Sequence, residues 1–144
     1  MKRSAGVLLR RADGRVLLVH PGGPFWAKKD LGAWSIPKGE HGDDEDPEAC
    51  ARREFAEELG SEVAGDLVDL GTVRQKNRKE VRAFLGEGEV DVDAVVSNTF
   101  EMEWPPRSGR RHEFPEIDRA EWFTVEEARE KLNPAQAEFL DRLP

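Results

Sequence analysis

The sequence lacks the features that disulfide-stabilised, membrane-spanning and secreted proteins require. Its single cysteine, Cys50, excludes an intrachain disulfide and suits a reducing compartment. No apolar run approaches the roughly 20 residues that a membrane helix needs. The apolar run at 5–9 is too short for a signal peptide and is followed by Arg10 and Arg11. We therefore expect a cytoplasmic protein that does not associate with membranes.

Positive charge is also scarce, with 22 Lys and Arg residues against 30 Asp and Glu residues and a net charge of -8. This balance argues against a long nucleic-acid polymer as partner, because phosphate backbones bind basic surfaces. A small anion stays compatible, since a bound metal ion reverses the local field. The chain has no tyrosine, so any aromatic platform for a nucleobase comes from tryptophan or phenylalanine.

The length of 144 residues suits one domain with a substantial core, and we expect a single domain over 1–144. Apolar alternation and turn signals predict strands at 5–9, 16–19, 34–36, 68–73, 81–85, 98–104 and 121–123. Helices are predicted between Asp46 and Gly60, after Thr124, and from Asn133 to about Leu143. Strands that surround one helix, with further helices late in the chain, predict an α+β sandwich with a mixed sheet.

The segment 39–60, GEHGDDEDPEACARREFAEELG, carries the strongest chemical signal. Glu54, Glu57 and Glu58 stand three and four residues apart, so a helix brings them to one face. Like charges at this spacing destabilise a bare helix, and their carboxylate oxygens suit Mg²⁺ or Mn²⁺. A solvated acidic surface is the ordinary explanation for such a cluster. A calcium-binding EF-hand loop starting at Asp44 fails, because its twelfth position is Phe55 rather than glutamate.

The upstream residues favour the metal site over a solvated surface. Gly39, Glu45 and the run from Arg53 to Gly60 stand at the spacing of the Nudix hydrolase signature, which this segment resembles. The one departure is Ser61, where the family usually has an aliphatic residue.

This resemblance implies a Nudix fold, an α/β/α sandwich with a mixed β-sheet, and cleavage of a nucleoside diphosphate linked to another moiety. It implies metal binding and catalysis by Glu57 and Glu58, with Glu54 as a third ligand or the group that orients water. Gly39 would lend its carbonyl to the metal. The remaining signature residues would have structural roles, Arg53 pairing with Glu45 and Gly60 ending the helix. The general base varies in the family, so a signature glutamate, Glu113 and Glu116 all stay open.

Substrate phosphates need cations besides the metal, and Lys38, one residue before the signature, is the best placed. Arg74 is a further candidate, and Trp26 is the preferred platform for a base, with Phe25 beside it. Weaker candidates for phosphate contact, like Arg74, are the basic residues Lys28, Lys29, Lys76, Arg107, Arg110 and Arg111. For each of these residues alone, and for Arg74, solvated surface is the ordinary role. The three histidines match no metal-ligand spacing and are interpreted as non-catalytic, although His112 has a basic surrounding that suits phosphate.

Two functions are compatible with these residues. The first is a Mg²⁺-dependent hydrolase of nucleoside or dinucleoside polyphosphates, because the lead-in Pro37-Lys38-Gly39 resembles that of diadenosine-polyphosphate hydrolases. Diphosphoinositol-phosphate hydrolases and enzymes that remove oxidised nucleotides share this lead-in. The alternative is a catalytically silent nucleotide-binding module that regulates a partner. A homodimer is compatible with the resemblance, since family members often dimerise.

Overall fold

The computed structural model describes residues 1–76 and 78–144. Asn77, in the predicted link between two paired strands, lies outside the described residues. The elements in chain order are the strands β1 (Lys2–Arg10), β2 (Val16–Pro21) and β3 (Lys38–His41), the helix α1 (Pro47–Leu59), the strands β4 (Val68–Gln75), β5 (Lys79–Glu87), β6 (Thr99–Glu103), β7 (Arg111–Pro115) and β8 (Ile117–Phe123), and the helix α2 (Val125–Lys131). Two 3₁₀ segments, Val92–Ala94 and Gln136–Arg142, complete the described secondary structure.

The main sheet has the order β4-β5-β1-β2-β8, with β3 also paired to β1. The pairing of β1 with β5 is parallel and the other pairings are antiparallel. Strand β1 pairs with different strands along its length: its first half pairs with β3, whereas Arg10 at its end pairs with Val16 of β2. Ser35 in turn bridges to Val19 of β2. The segment 35–41 therefore lies between β1 and β2, where these two strands do not pair with each other.

The two faces of the sheet are covered by different helices. On one face, α1 buries Cys50, Phe55 and Leu59 against the inward residues of β1 and β2. On the other face, α2 and the 3₁₀ segment Gln136–Arg142 cover the residues that alternate with them. Full burial of a side chain such as Phe55 contributes about 1.5–3 kcal/mol. The arrangement is the α/β/α sandwich with a mixed sheet that the sequence predicts.

Helix α1 begins and ends where its sequence predicts. The Asp46 side chain accepts a hydrogen bond from the Ala49 N–H, and Pro47 is the first helical residue. At the other end Gly60 adopts a left-handed conformation with φ 70° and donates its N–H to the Ala56 carbonyl. These caps fix where the helix begins and ends, and thereby the positions of the three glutamates in its last turns.

Two predicted elements differ from the structure. The segment 34–36 forms isolated bridges rather than the predicted strand, and a strand that the sequence analysis does not predict appears at β3. The reason is tertiary, since the first half of β1 needs a partner on this side. The last helix is a 3₁₀ segment; three residues per turn bring Gln136 and Phe139 to the same side, and both are buried.

The basic segment 105–112 is also more ordered than a predicted loop. Residues from Arg111 onwards belong to β7, which pairs with β6 in a separate two-stranded sheet. Within the described residues, no helix has the length and apolar character required to cross a membrane.

Candidate metal and phosphate site

Glycine at the start of the acidic segment allows a helix carboxylate to approach the backbone of β3. The carboxyl group of Glu54 lies directly over the α-carbon of Gly39, where the β-carbon of any other residue would overlap it. The Glu54 side chain is only 18% exposed. The glycine therefore creates space for a carboxylate between α1 and β3.

Arg53 links the carboxylates of this region. Its guanidinium forms ion pairs with Glu45 at the end of the preceding loop, with Glu54 at 3.3 Å, and with Glu57 at 3.8 Å. The hydrogen bond to Glu54 is the main cause that raises the pKa of Arg53; burial opposes it, and the hydrogen bond to Glu45 adds to the rise. The loop before α1 is thereby fixed to the helix, and part of the like-charge repulsion is neutralised.

Glu58 is the most unusual acid of the helix. Its Oε2 atom is buried and has no hydrogen-bond partner among the described residues. Burial raises the pKa of Glu58 to about 8, and the charges of Glu54 and Glu116 add to this effect. The ammonium group of Lys38 opposes it only in part. Unlike the acids of a solvated helix surface, Glu54 and Glu58 are both largely buried.

Lys38 lies beside this carboxyl group. Burial is the main cause that lowers its pKa, followed by the nearby ammonium of Lys79, while Glu58 and Glu40 act in the opposite direction. A half-buried ammonium with such neighbours is a favourable site for the anionic oxygens of a phosphate.

The metal ligands expected from the sequence do not form a closed cluster. Within residues 1–76 and 78–144, no three histidine, cysteine or acidic side chains converge in an arrangement that would hold a metal ion. Glu57 is half exposed and leans towards Arg53, whereas Glu58 points into the protein. Adjacent carboxylates repel each other, which favours this separation.

The donor set nevertheless fits a divalent cation. An unpaired carboxylate oxygen of Glu58 is buried next to Glu54, and Gly39 gives backbone access at the same place. Hard oxygen ligands of this kind suit Mg²⁺ or Mn²⁺, and a cation would supply a partner for the Oε2 atom of Glu58, which has none among the described residues.

Two residues that the sequence proposes for substrate binding line one pocket of about 440 Å³. Trp26 contributes an aromatic wall, and Arg74, the next-to-last residue of β4, contributes a cation. Further lining residues are Gln75, Lys76, Lys79, Asn133, Pro134 and Ala135. The charge of Lys79 acts on Lys38, which connects the pocket to the carboxylates of α1. Its volume lies within the range of pockets that hold small molecules.

The two late acids occupy different places. Glu113 lies on β7, and its carboxylate accepts a hydrogen bond of 2.7 Å from the Thr99 hydroxyl. Glu116 lies in the link between β7 and β8, close enough for its charge to raise the pKa of Glu58. Only Glu116, of these two acids, is therefore connected to the helix carboxylates.

His20 has a role that the sequence interpretation did not assign. Its ring is fully buried, Nε2–H donates to the Lys29 carbonyl at 2.6 Å, and Nδ1 lies 2.7 Å from the Asp118 carboxylate. The Lys29 ammonium lies over the rings of Phe25 and Trp26, at 3.7 and 5.0 Å. His20 thus anchors the loop that carries the aromatic wall of the pocket. The available sequence signal is a histidine within the apolar strand VLLVHP.

Replacing this histidine tests the anchor. We expect His20→Leu to lower the free energy of unfolding by about 2–3 kcal/mol, because it leaves the Asp118 carboxylate and the Lys29 carbonyl without their partner. Urea unfolding monitored by circular dichroism measures the change. His41→Leu is the matched control, since among the described residues the ring of His41 has a single hydrogen bond, to the adjacent Gly42 carbonyl. Equal stabilities of the His20 variant and the unaltered protein would contradict the anchoring role.

Comparisons with known proteins agree with this architecture. A family model described as the NUDIX domain matches residues 1–143. An RNA pyrophosphohydrolase of Gluconacetobacter diazotrophicus is 38% identical over 69 residues, which are 44% of this chain and 39% of that protein. The chain thus spans about two fifths of the length of this curated relative.

Solved structures resemble nearly the whole chain. A MutT NUDIX hydrolase from Burkholderia pseudomallei has a TM-score of 0.67 at 21% identity, covering 99% of this chain and 98% of that one. An Ap4A hydrolase from C. elegans, in a binary complex, has a TM-score of 0.66 at 18% identity, covering 96% and 93%. A MutT protein from Methanosarcina mazei has a TM-score of 0.61 at 23% identity, covering 98% and 91%. These similarities confirm the fold that the sequence predicts.

Proposed function

Because this chain belongs to the NUDIX family of pyrophosphate-bond hydrolases, we propose that it is a Mg²⁺-dependent hydrolase of nucleoside or dinucleoside polyphosphates. The observation that carries the proposal is the buried, unpartnered oxygen of Glu58 beside Glu54, with Lys38 next to it. Burying an acid in this way is costly unless a cation binds there.

The metal is held, in this proposal, by Glu54, Glu57, Glu58 and the carbonyl of Gly39, with Mn²⁺ as a substitute for Mg²⁺. When bound, such an ion neutralises phosphate charge and lowers the pKa of a coordinated water molecule. Arg53 keeps Glu54 and Glu57 near the site through its ion pairs with them. The side chain of Arg53 therefore orients ligands rather than contacting phosphate.

The chain's own groups support the transfer of a proton and the binding of phosphate. Lys38 places a cation beside the acids, where it binds a non-bridging phosphate oxygen. Glu116 is the preferred late base, because its charge reaches Glu58, whereas Glu113 is bonded to Thr99 on the hairpin. A signature glutamate stays the alternative base. The preferred base accepts a proton from the attacking water.

The pocket beside these residues supports a nucleotide rather than a simple polyphosphate as substrate. Trp26 offers a face on which a base stacks, and Arg74 and Lys79 offer cations between the base and the acids. The Ap4A hydrolase and RNA pyrophosphohydrolase among the similar proteins are named for substrates with polyphosphate groups.

An activity assay tests the function. Purified protein is incubated with ATP, diadenosine tetraphosphate, ADP-ribose and 8-oxo-dGTP, either with excess Mg²⁺ or with EDTA. We expect hydrolysis of at least one nucleoside or dinucleoside polyphosphate with Mg²⁺ and none with EDTA. Binding of these nucleotides without hydrolysis would instead support the silent regulatory module, and turnover in EDTA would contradict the metal site.

Replacing the aromatic wall tests the pocket. We expect Trp26→Ala to raise KM for the preferred nucleotide by about tenfold with little change in kcat, since stacking of a base contributes about 1–3 kcal/mol. Steady-state kinetics separate the two constants. Leu31→Ala is the control, because Leu31 is an apolar residue of the same loop, is 69% exposed and does not line the pocket. An unchanged KM in the Trp26 variant would exclude the stacking role.

A further inference from the structure

A buried glutamine connects the candidate pocket with the segment that leads into Lys38. The side chain of Gln136 is only 1% exposed. Its Oε1 atom accepts a hydrogen bond from the Ile36 N–H at 3.0 Å, and its Nε2 atom donates to Oε1 of Gln75 at 2.8 Å. Gln75 is the last residue of β4 and lines the pocket that contains Trp26. One buried amide group therefore holds the pocket next to the segment that carries Lys38.

The oxygen and nitrogen of the Gln136 amide cannot exchange places. A backbone N–H only donates, so the atom of Gln136 that faces Ile36 is the oxygen. The nitrogen is then the atom that faces Gln75. This nitrogen also donates to the Ser35 hydroxyl at 3.1 Å, and that hydroxyl in turn donates to the Ile36 carbonyl at 2.7 Å. Both ends of the Gln136 amide are thus satisfied in this one orientation.

The orientation of Gln136 determines the orientation of Gln75. Because Gln136 donates, the atom of Gln75 that it meets must be an acceptor, which is the side-chain oxygen. The nitrogen of the Gln75 amide diverges from this oxygen, and it has no hydrogen-bond partner within residues 1–76 and 78–144. Since Gln75 lines the pocket, its two N–H groups are the part of the amide that a ligand in the pocket meets.

The other polar side chains of the pocket also offer hydrogen-bond donors. The side-chain oxygen of Asn133 accepts a hydrogen bond from the Ala135 N–H at 3.0 Å, which leaves its amide nitrogen for a ligand. Trp26 has an indole N–H, which only donates. The remaining polar side chains are cations, namely Arg74, Lys76 and Lys79. The pocket therefore presents donors, whereas its two side-chain amide oxygens are already bonded inside the protein.

Donors of this kind distinguish purine bases at the six position. A 6-oxopurine such as guanine or hypoxanthine has two neighbouring acceptors, O6 and N7, whereas adenine has an amino group in place of O6. That amino group would face the N–H groups of Gln75, and a donor that faces another donor makes no hydrogen bond.

We propose that Gln75, oriented by Gln136, donates a hydrogen bond to O6 of a 6-oxopurine base that stacks on Trp26. This inference rests on the proposed function and adds a base preference to it, for 6-oxopurine over adenine nucleotides. Gln75 contacts the substrate, whereas Gln136 is a positioning residue that does not line the pocket.

A binding experiment tests this preference without requiring turnover. The probes are the triphosphates of inosine and adenosine in which methylene groups replace both bridging oxygens, so that neither phosphoanhydride is cleaved. Hypoxanthine and adenine differ at the six position and in the protonation of N1. Isothermal titration calorimetry with Mg²⁺ measures the two Kd values. We expect the inosine probe to bind about tenfold more tightly, as one hydrogen bond made with one base and lost with the other requires. Kd values within about twofold of each other would overturn the proposal.

Gln75→Glu tests the donor directly. A carboxylate still accepts the hydrogen bond from Gln136, but it presents an acceptor to the pocket in place of the N–H groups. The ratio of Kd for the adenosine probe to Kd for the inosine probe should fall from about ten to about one or below. Thr72→Glu is the control, because Thr72 is an exposed residue of β4 outside the pocket and receives the same added charge. An unchanged ratio in Gln75→Glu, with both probes weakened equally or neither weakened, would overturn the proposal.

Gln136→Met tests the positioning role. Methionine has a similar length but neither donates to Gln75 nor accepts from Ile36 in the same way. The ratio of the two Kd values should fall at least about threefold, because the Gln75 amide loses its fixed orientation. A purely structural defect would weaken both probes equally, so an unchanged ratio in a protein with a native circular dichroism spectrum would overturn the role of Gln136. If this variant does not fold, the ratio in Gln75→Glu decides the proposal.

Two further outcomes separate the alternatives. A uridine probe of the same kind that binds more tightly than the inosine probe would place a pyrimidine in the pocket and overturn the proposal. If the unaltered protein hydrolyses no nucleoside or dinucleoside polyphosphate, GTP included, the proposed function fails, and the uncleavable probes still decide the base preference.

Discussion

Glu58→Gln is expected to reduce kcat by at least about a hundredfold while the protein stays folded. Loss of a residue that merely orients a metal ligand costs roughly 10–100-fold, and loss of a ligand costs at least as much. Glutamine keeps the size of the side chain but removes the charge that a cation requires. Steady-state hydrolysis of the preferred nucleotide at saturating Mg²⁺, with a circular dichroism spectrum of each protein, measures the effect.

The same variant should remove a pH dependence of the free energy of unfolding that the unaltered protein shows in EDTA. The folded-state pKa of Glu58, about 8, lies above the ordinary value of 4.5 that applies to the unfolded chain. The folded protein therefore binds this proton more tightly, and the free energy of unfolding falls as pH rises from about 4.5 to 8. Each pKa unit corresponds to about 1.4 kcal/mol, so this decline amounts to several kcal/mol at most and is absent in Glu58→Gln.

Urea unfolding at pH 5 and pH 8.5 in EDTA measures this difference. The unaltered protein should be less stable than Glu58→Gln at pH 8.5, and Mg²⁺ should narrow the gap, because a cation binds the ionised carboxylate. Glu62→Gln, an exposed acid just after the helix, is the control and should change neither kcat nor the pH dependence. Near-normal turnover of Glu58→Gln would remove Glu58 from the metal site.

The strength of local signals explains which parts of the fold were predictable. Helix α1 has an N-cap, a proline at its first position and a terminal glycine within 15 residues, and each of these acts through its own neighbours. Strand β3 lacks such a signal. Its residues 38–41 are polar and contain Gly39, so only the unpaired half of β1 makes them a strand. Signals from neighbouring residues in the sequence do not predict this pairing with β1.

In the candidate site, too, the sequence predicts some features, whereas others depend on tertiary contacts. The spacing of Glu54, Glu57 and Glu58 is visible in the sequence, and Trp26 and Arg74, which the sequence proposes for substrate binding, line the same pocket. The unequal burial of the acids is not, because it depends on where β3 and Lys38 lie relative to the helix. The anchoring role of His20 was not predictable for a related reason, since its partners Asp118 and Lys29 are 98 and 9 residues away in the sequence.

Gly39→Ala is expected to abolish most activity while leaving stability nearly unchanged. A β-carbon at this position would overlap the carboxyl group of Glu54, and that group is the flexible end of a side chain that can move away. The backbone of Gly39 is not in the left-handed region, so alanine causes no backbone strain. Displacement of a reacting group by about 1 Å costs on the order of a hundredfold in rate, and we expect a loss of this size.

Gly42→Ala provides the matched control for this prediction. Gly42 lies three residues further along the same segment, and a β-carbon there meets no atom within 4 Å. Activity and the free energy of unfolding of Gly42→Ala should equal those of the unaltered protein. Gly39→Ala should differ from Gly42→Ala in kcat/KM and in the Mg²⁺ concentration that gives half-maximal activity, but by less than about 1 kcal/mol in stability, the range of ordinary substitutions outside the core. If both variants retain full activity, the contact between Glu54 and Gly39 does not position a metal ligand, and the site must draw its oxygens from Glu57 and Glu58 alone.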